Sequence, residues 1–285
     1  MEKPEPRSII LRHDVDQRPG YSLRFARMQH ESGVKGSYYF RMVPQSFNET
    51  IIKEILGLGH EIGYHYETMD TCKGDTEKAL REFVRNLELL KKLAPIKTIC
   101  MHGSPLSKYD NRDLWGKEKS SVVSRQSSVI SRQSSVVSGT REPGNPEPGT
   151  RNMPHYKDYD IIGEPYFDID FTQVLYLTDT GRRWDGAKVS VRDKVGSHQS
   201  AVSGRRSAVE QWNSGTMAQS TRNPELKFHS TRDIIAAANA GLLPDRIMFT
   251  FHPQRWTDRP LPWLKELVMQ NAKNIAKRII LSSKS

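Results

Sequence analysis

The sequence predicts an α/β protein built on a parallel sheet. Short apolar runs alternate with segments of helical periodicity, and most of these runs end in a residue capable of chemistry. Two stretches of repetitive polar text interrupt the alternation and stand outside it.

Seven strands are expected, at 8–13, 36–41, 61–66, 97–101, 160–164, 174–178 and 246–251. The first closes on Arg12-His13-Asp14-Val15-Asp16. Side chains alternate along a strand, so Asp14 and Asp16 share one face while His13 and Val15 take the other. For a lone pair of this kind the better reading is a helix cap or a solvated loop. Its chemical reading is a metal ligand beside a general base, because two close carboxylates repel unless a cation or a proton intervenes. The other runs end in Arg41, His65/Glu67, His102, Glu164, Asp179/Arg182 and His252. In a parallel barrel these ends open onto one face, where active sites sit. That repetition favours the chemical reading.

Helices connect the strands. Ser46-Phe47-Asn48-Glu49 reads as a capping box, followed by Ile51, Ile52, Ile55 and Leu56 on one face and a stop at Gly59. The segment 76–93 carries Ala79, Leu80, Phe83, Val84, Leu87 and Leu90 at helical spacing. The segment 263–281 carries Leu264, Leu267, Val268, Ile275 and Ile279, also read as a core stripe.

The interruptions lie at about 117–155 and 196–224. Residues 124–130 read SRQSSVI and 131–137 read SRQSSVV, a tandem repeat with too little apolar content for a coiled-coil seam. A Pro/Gly tract follows, and related text returns at His198-Gln199-Ser200-Ala201-Val202-Ser203. Such segments bury too little apolar surface to offset their ordering entropy, so they are expected to be disordered insertions in surface loops. They explain a hydrophobic share of only 36%. The remainder of 1–285 is read as one domain.

Composition narrows the function. Cys72 and Cys100 are the only cysteines, which excludes a disulfide framework and a C-x-x-C metal site. Residues 1–7 carry no apolar stretch and no run is long enough to span a membrane, so a cytoplasmic protein is expected. The net charge of +10 is scattered and not interleaved with aromatics, which argues against specific nucleic-acid binding. The oligomeric state is not legible.

With these residues assembled, the chain resembles the polysaccharide deacetylase (NodB-homology, carbohydrate esterase family 4) superfamily over most of its core, from Ser8 to about Arg255. Asp14-Val15-Asp16 is similar to the family's first motif, Gly59-His60-Glu61-Ile62-Gly63-Tyr64-His65 to the segment leading into its metal histidines, and Phe249-Thr250-Phe251-His252 to its last motif. The resemblance implies a deformed (β/α) TIM-like barrel of about seven strands. It also implies Asp14 as base, Asp16 and His65 as ligands to a divalent metal, expected to be zinc, and His252 as general acid. The implied reaction is hydrolysis of a carbon–nitrogen bond, N-deacetylation of a small saccharide or sugar precursor.

The chain departs from the pattern where it matters. The second metal histidine falls at Met69, and a thioether is a poor ligand for a cation that also takes Asp. His102 is the favoured third ligand, with Glu67 and Asp70 as alternatives. No arginine stands at 101–105 to orient the base; Arg182, Arg183 and Arg12 are the substitutes. Asp179, Arg182, Trp184 and Trp256 are expected to orient or contact substrate, and Tyr64 and Tyr66 are further candidates to stack on sugar. His60 and His13 are expected to be structural. Two rival readings remain: a metal-independent amide hydrolase of the same superfamily, and a degenerate barrel that binds saccharide without turnover.

Overall fold

The computed structural model describes residues 7–103, 107–115, 154–171, 173–180, 184, 228–257, 259–261 and 263–269. The expected insertions at about 117–155 and 196–224 lie outside the described residues, apart from 154–155. So do Arg182 and Arg183.

Six parallel strands form one curled sheet: β1 (Ser8–Val15), β2 (Ser37–Phe40), β3 (Glu61–Tyr66), β4 (Ile99–Met101), β5 (Leu175–Thr178) and β6 (Arg246–Phe251), in the order β4-β3-β2-β1-β6-β5. This is a half-barrel. The expected fold, a deformed TIM-like barrel of about seven strands, is met in its TIM-like curl, but among the described residues six strands form and the sheet does not close. The seventh, at 160–164, shrinks to a single parallel bridge between Thr98 and Gly163. The reason is local. Pro165 starts a short helix, α5 as numbered below, and Glu164 caps it, accepting from the backbone nitrogens of Tyr166 (2.6 Å) and Phe167 (3.1 Å), so the chain turns away after one bridge. Among the described residues no ladder joins this segment to β5. The Tyr166 and Tyr176 hydroxyls lie 3.4 Å apart across that opening.

The helices are α1 (Pro19–Glu31), α2 (Glu49–Gly57), α3 (Thr68–Thr71), α4 (Thr76–Lys91), α5 (Pro165–Asp168) and α6 (Thr231–Asn239). α2 begins later than its sequence suggests. Its cap is Asn48, whose side chain accepts from Ile51 N at 3.0 Å. Ser46 is instead fully buried; its hydroxyl accepts from Arg41 N and donates to Val15 O, tying the end of β1 to the loop after β2. The stripe of α4 is core as expected, with Ala79, Phe83, Leu87 and Leu90 fully buried. Of the stripe expected over 263–281, Leu264 and Val268 are exposed and Leu267 is half-buried, so its described part is not core, while Ile275 and Ile279 lie outside the described residues.

Strand pleat divides the sheet chemically. One face carries Val15, Tyr38, Phe40, Ile62, Tyr64, Tyr66, Ile99 and Met101 into an apolar core with α2 and α4. The register sets Arg12 beside Ser37 and Ser37 beside Glu61, so the other face is polar. There Glu61 accepts from Ser37 and from Thr98 Oγ1 (2.6 Å), and Tyr39 OH meets Thr98 Oγ1 at 2.9 Å. Gly63 makes this possible: a Cβ at that position would stand 2.5 Å from the Tyr39 ring.

Candidate metal centre and acid–base site

The polar face runs into a cluster at the C-terminal ends of β1, β3, β4 and β6. Asp14 is buried, and Arg12, two residues earlier on the same face, clamps both its oxygens: Nε to Oδ1 at 2.7 Å and Nη2 to Oδ2 at 2.6 Å. Burial pushes the Asp14 carboxyl up, but Arg12 and then His65 pull it further down, well below the usual carboxylate range. Asp14 is therefore an oriented carboxylate, held in its ionised form by Arg12. Arg12 is itself held by Tyr166, whose hydroxyl accepts at 3.1 Å and whose ring lies 4.9 Å from the guanidinium carbon.

Asp16, just past the end of β1, points one oxygen at two imidazoles. Its Oδ1 lies 3.6 Å from His65 Nε2 and 3.6 Å from His102 Nε2. That oxygen is buried and accepts no hydrogen bond. The other, Oδ2, accepts from Gln254 Nε2 at 3.0 Å. His65 donates Nδ1–H to Cys100 O at 2.9 Å, which leaves the Nε2 lone pair facing Asp16. Burial lowers the His65 pKa to about 4, so the ring is neutral near pH 7. His102 Nδ1 sits 3.1 Å from Glu67 Oε2, outside good hydrogen-bond geometry but within ion-pair distance. Glu67 in turn takes Arg41 bidentately at 3.0 and 2.7 Å. Burial raises the Glu67 carboxyl, and His102 and Arg41 together bring it down to about 2.

These residues fit a divalent cation. Donors about 2.0–2.1 Å from a tetrahedral ion stand roughly 3.4 Å apart, close to both 3.6 Å separations. An orphaned carboxylate oxygen between two imidazole nitrogens is costly without a cation. The backbone carbonyl on His65 and the carboxylate beside His102 are the outer partners that metal-ligating histidines usually have. A second group, Asp14, His65 and Cys100, also has its ligand atoms within 4.8 Å of one another.

His252 faces the cluster from β6, with Nε2 4.0 Å from Asp16 Oδ2. Its Nδ1 pairs closely with Asp179 Oδ1. Asp179 is fixed by Trp256 Nε1 at 2.7 Å, by the His252 backbone nitrogen at 3.0 Å and by Arg255, which donates to its carbonyl at 3.0 Å. Burial raises the Asp179 carboxyl, and His252 and Arg255 outweigh it, to about 2.

The structure thus brings together Asp14, Asp16, His65, His102, His252 and Asp179. Glu67 sits behind His102 rather than in the ligand set, and Asp70 is not grouped with it. Met69 is buried in the helix-side core, its backbone nitrogen held by Asn111 Oδ1 at 3.0 Å. Tyr64 and Tyr66 are fully buried in the same core, so neither presents a face to a sugar. Trp184 is buried edge-on against Phe249 and Phe251 and donates Nε1–H to Thr231 Oγ1 at 3.1 Å. With Trp256 it lines a cavity of about 290 Å³ beside Asp179. His60 accepts from Gly36 N and pairs with Ala26 O, and His13 is buried on the helix side. Gln254 carried no signal in the sequence. Arg12 did carry one, since strand alternation sets it on the face of Asp14.

No protein-family model matches this chain, and no curated protein is significantly similar to it. Among the described residues, no helix is long and apolar enough to cross a membrane.

Proposed function

We propose that this site hydrolyses a carbon–nitrogen bond, by metal-dependent N-deacetylation of an N-acetylated sugar. The observation that carries the reading is the orphaned Asp16 Oδ1, 3.6 Å from two imidazole nitrogens, with a clamped carboxylate on one side and a carboxylate-backed histidine on the other. The resemblance of the Asp14-Val15-Asp16 and Phe249-Thr250-Phe251-His252 segments to polysaccharide deacetylases supports it.

Asp16, His65 and His102 would hold a divalent ion, zinc by its taste for imidazole and carboxylate together. Such an ion supplies Lewis acidity, lowering the pKa of water and polarising an amide carbonyl. Asp14, held by Arg12, takes the proton of the attacking water. Its low basicity is offset by orientation, because the clamp fixes both oxygens before substrate arrives. His252 gives a proton to the departing amine from Nε2, while Asp179 on Nδ1 fixes the tautomer and stabilises the imidazolium. The products are acetate and the free amino sugar.

The test is metal content together with turnover on N-acetylated sugars. Near-stoichiometric divalent metal, with turnover lost on chelation and restored by zinc, is the expected result. Turnover that persists in metal-free protein would overturn the metal-dependent reading.

A further inference from the structure

The carboxylate of Asp16 divides its two oxygens between different partners. Oδ1 stands 3.6 Å from both His65 Nε2 and His102 Nε2. Oδ2 accepts from Gln254 Nε2 at 3.0 Å and lies 4.0 Å from His252 Nε2. A carboxylate with one oxygen tied in this way offers the other to an ion. With both oxygens open it can turn and take the ion through both, which crowds the position that a water needs on a three-ligand site.

The donor on Oδ2 comes from the end of β6. Gln254 follows His252 by two residues, in the short turn Pro253–Arg255. That turn packs on β1 and α1, and Arg255 pins it by donating to Asp179 O at 3.0 Å. Gln254 is only 5% exposed, with its amide set against Asp16. The polarity of the pair is fixed. A carboxylate that serves as a metal ligand only accepts, so the atom that meets it is the amide nitrogen. Oε1 then falls in a buried place, where it meets no donor among the described residues. A methionine or leucine would fill similar space and leave no acceptor unpaired. Packing alone therefore does not account for an amide at this position, whereas the bond to Asp16 does.

We infer that Gln254 is a positioning residue of the metal centre: by holding Oδ2 it makes Asp16 a one-oxygen ligand and keeps a coordination position for water. The inference rests on the proposed site at Asp16, His65 and His102, and not on the identity of the substrate.

Chelator competition on the full chain, with zinc and with cobalt(II) in its place, tests it. Gln254→Met and Gln254→Leu are each expected to bind metal about 10–100-fold more weakly, the scale of an outer partner. Their cobalt spectra are expected to lose intensity in the visible bands, as a four-coordinate site gains a second oxygen from Asp16. Urea midpoints of the metal-free variants are expected to match the wild type, since each exchanges one bond and one orphaned acceptor for apolar contact. Wild-type affinity and spectrum in both variants would overturn the inference. So would weaker binding with an unchanged spectrum, the mark of a merely structural residue. A wild-type chain that binds no divalent metal would overturn the proposed centre, and this inference with it. Metal binding with the expected spectral change, but no turnover of N-acetylated sugars, would leave Gln254 in its role and remove the hydrolase reading.

Discussion

Arg12 holds both oxygens of Asp14 from two positions earlier on the same strand, and both side chains are buried. Breaking such a pair leaves an uncompensated charge away from water, so Arg12→Gln is expected to cost about 3–5 kcal/mol of stability. The double variant Arg12→Gln/Asp14→Asn is expected to recover much of that loss. Denaturant titration of the wild type, both single variants and the double variant checks the coupling. Additive losses would mean that the clamp stabilises nothing.

Asp14→Asn keeps the shape of the side chain and removes its basicity. Turnover is expected to fall about 10²–10⁴-fold, the usual scale of a general base, with bound metal unchanged. Measured kcat beside metal content separates loss of the base from loss of the site.

His65→Ala and His102→Ala are each expected to abolish stoichiometric metal, since each removes one of three donors. Glu67→Gln acts one step further out. It keeps the ligands and weakens the pairing behind His102, so metal affinity is expected to fall about 10–100-fold. Competition with a chromophoric chelator measures both effects.

Acid should weaken the fold well before its carboxylates titrate. His13 accepts at Nε2 from Gln29, 3.1 Å away, and faces Ser37 O with Nδ1 at 3.2 Å. Tyr38 OH donates to Gln29 Oε1 at 2.7 Å and so orients the amide. A second proton on the ring would set two donors face to face. Burial accordingly lowers the His13 pKa from 6.5 to about 3. The unfolded chain then binds a proton that the folded one refuses. Stability is full above pH 6.5 and is lost as pH falls toward 3, by a few kcal/mol. Urea midpoints taken across that window should fall with pH, and His13→Gln should flatten the slope.

Gly63→Ala would set a Cβ 2.5 Å from the Tyr39 ring and 3.0 Å from Thr98 O. The expected cost is about 1–3 kcal/mol, the range for overpacking. Thermal unfolding reads it, and Gly57→Ala, where no atom lies within 4 Å of the added carbon, is the control.

Sequence legibility follows the physics of each element. Helix α4 was readable because its apolar positions recur at helical spacing over sixteen residues. The strand ends were readable because His65, His102 and His252 close apolar runs. The seventh strand was misread because its apolar Ile161 and Ile162 look like β1, while the cap made by Glu164 belongs to the helix that follows. Met69 reads as a gap in the ligand pattern, and only the β3–β4 pairing, with His65 opposite Cys100, carries His102 to the vacant side. Tyr64 and Tyr66, candidates to stack on sugar or simply to pack, pack. They share the parity of Val15, not of Asp14, and parity decides which face a strand residue joins.

The same parity has a consequence for how this chain tolerates change. Along β1, His13 and Val15 pack in the helix-side layer, whereas Arg12 and Asp14, with Asp16 beyond, line the proposed site. Two demands are thus interleaved in five consecutive residues. A saturation library of this pentapeptide, sorted once for soluble expression and once for turnover, should resolve into two combs. The buried pair Arg12 and Asp14 should appear in both.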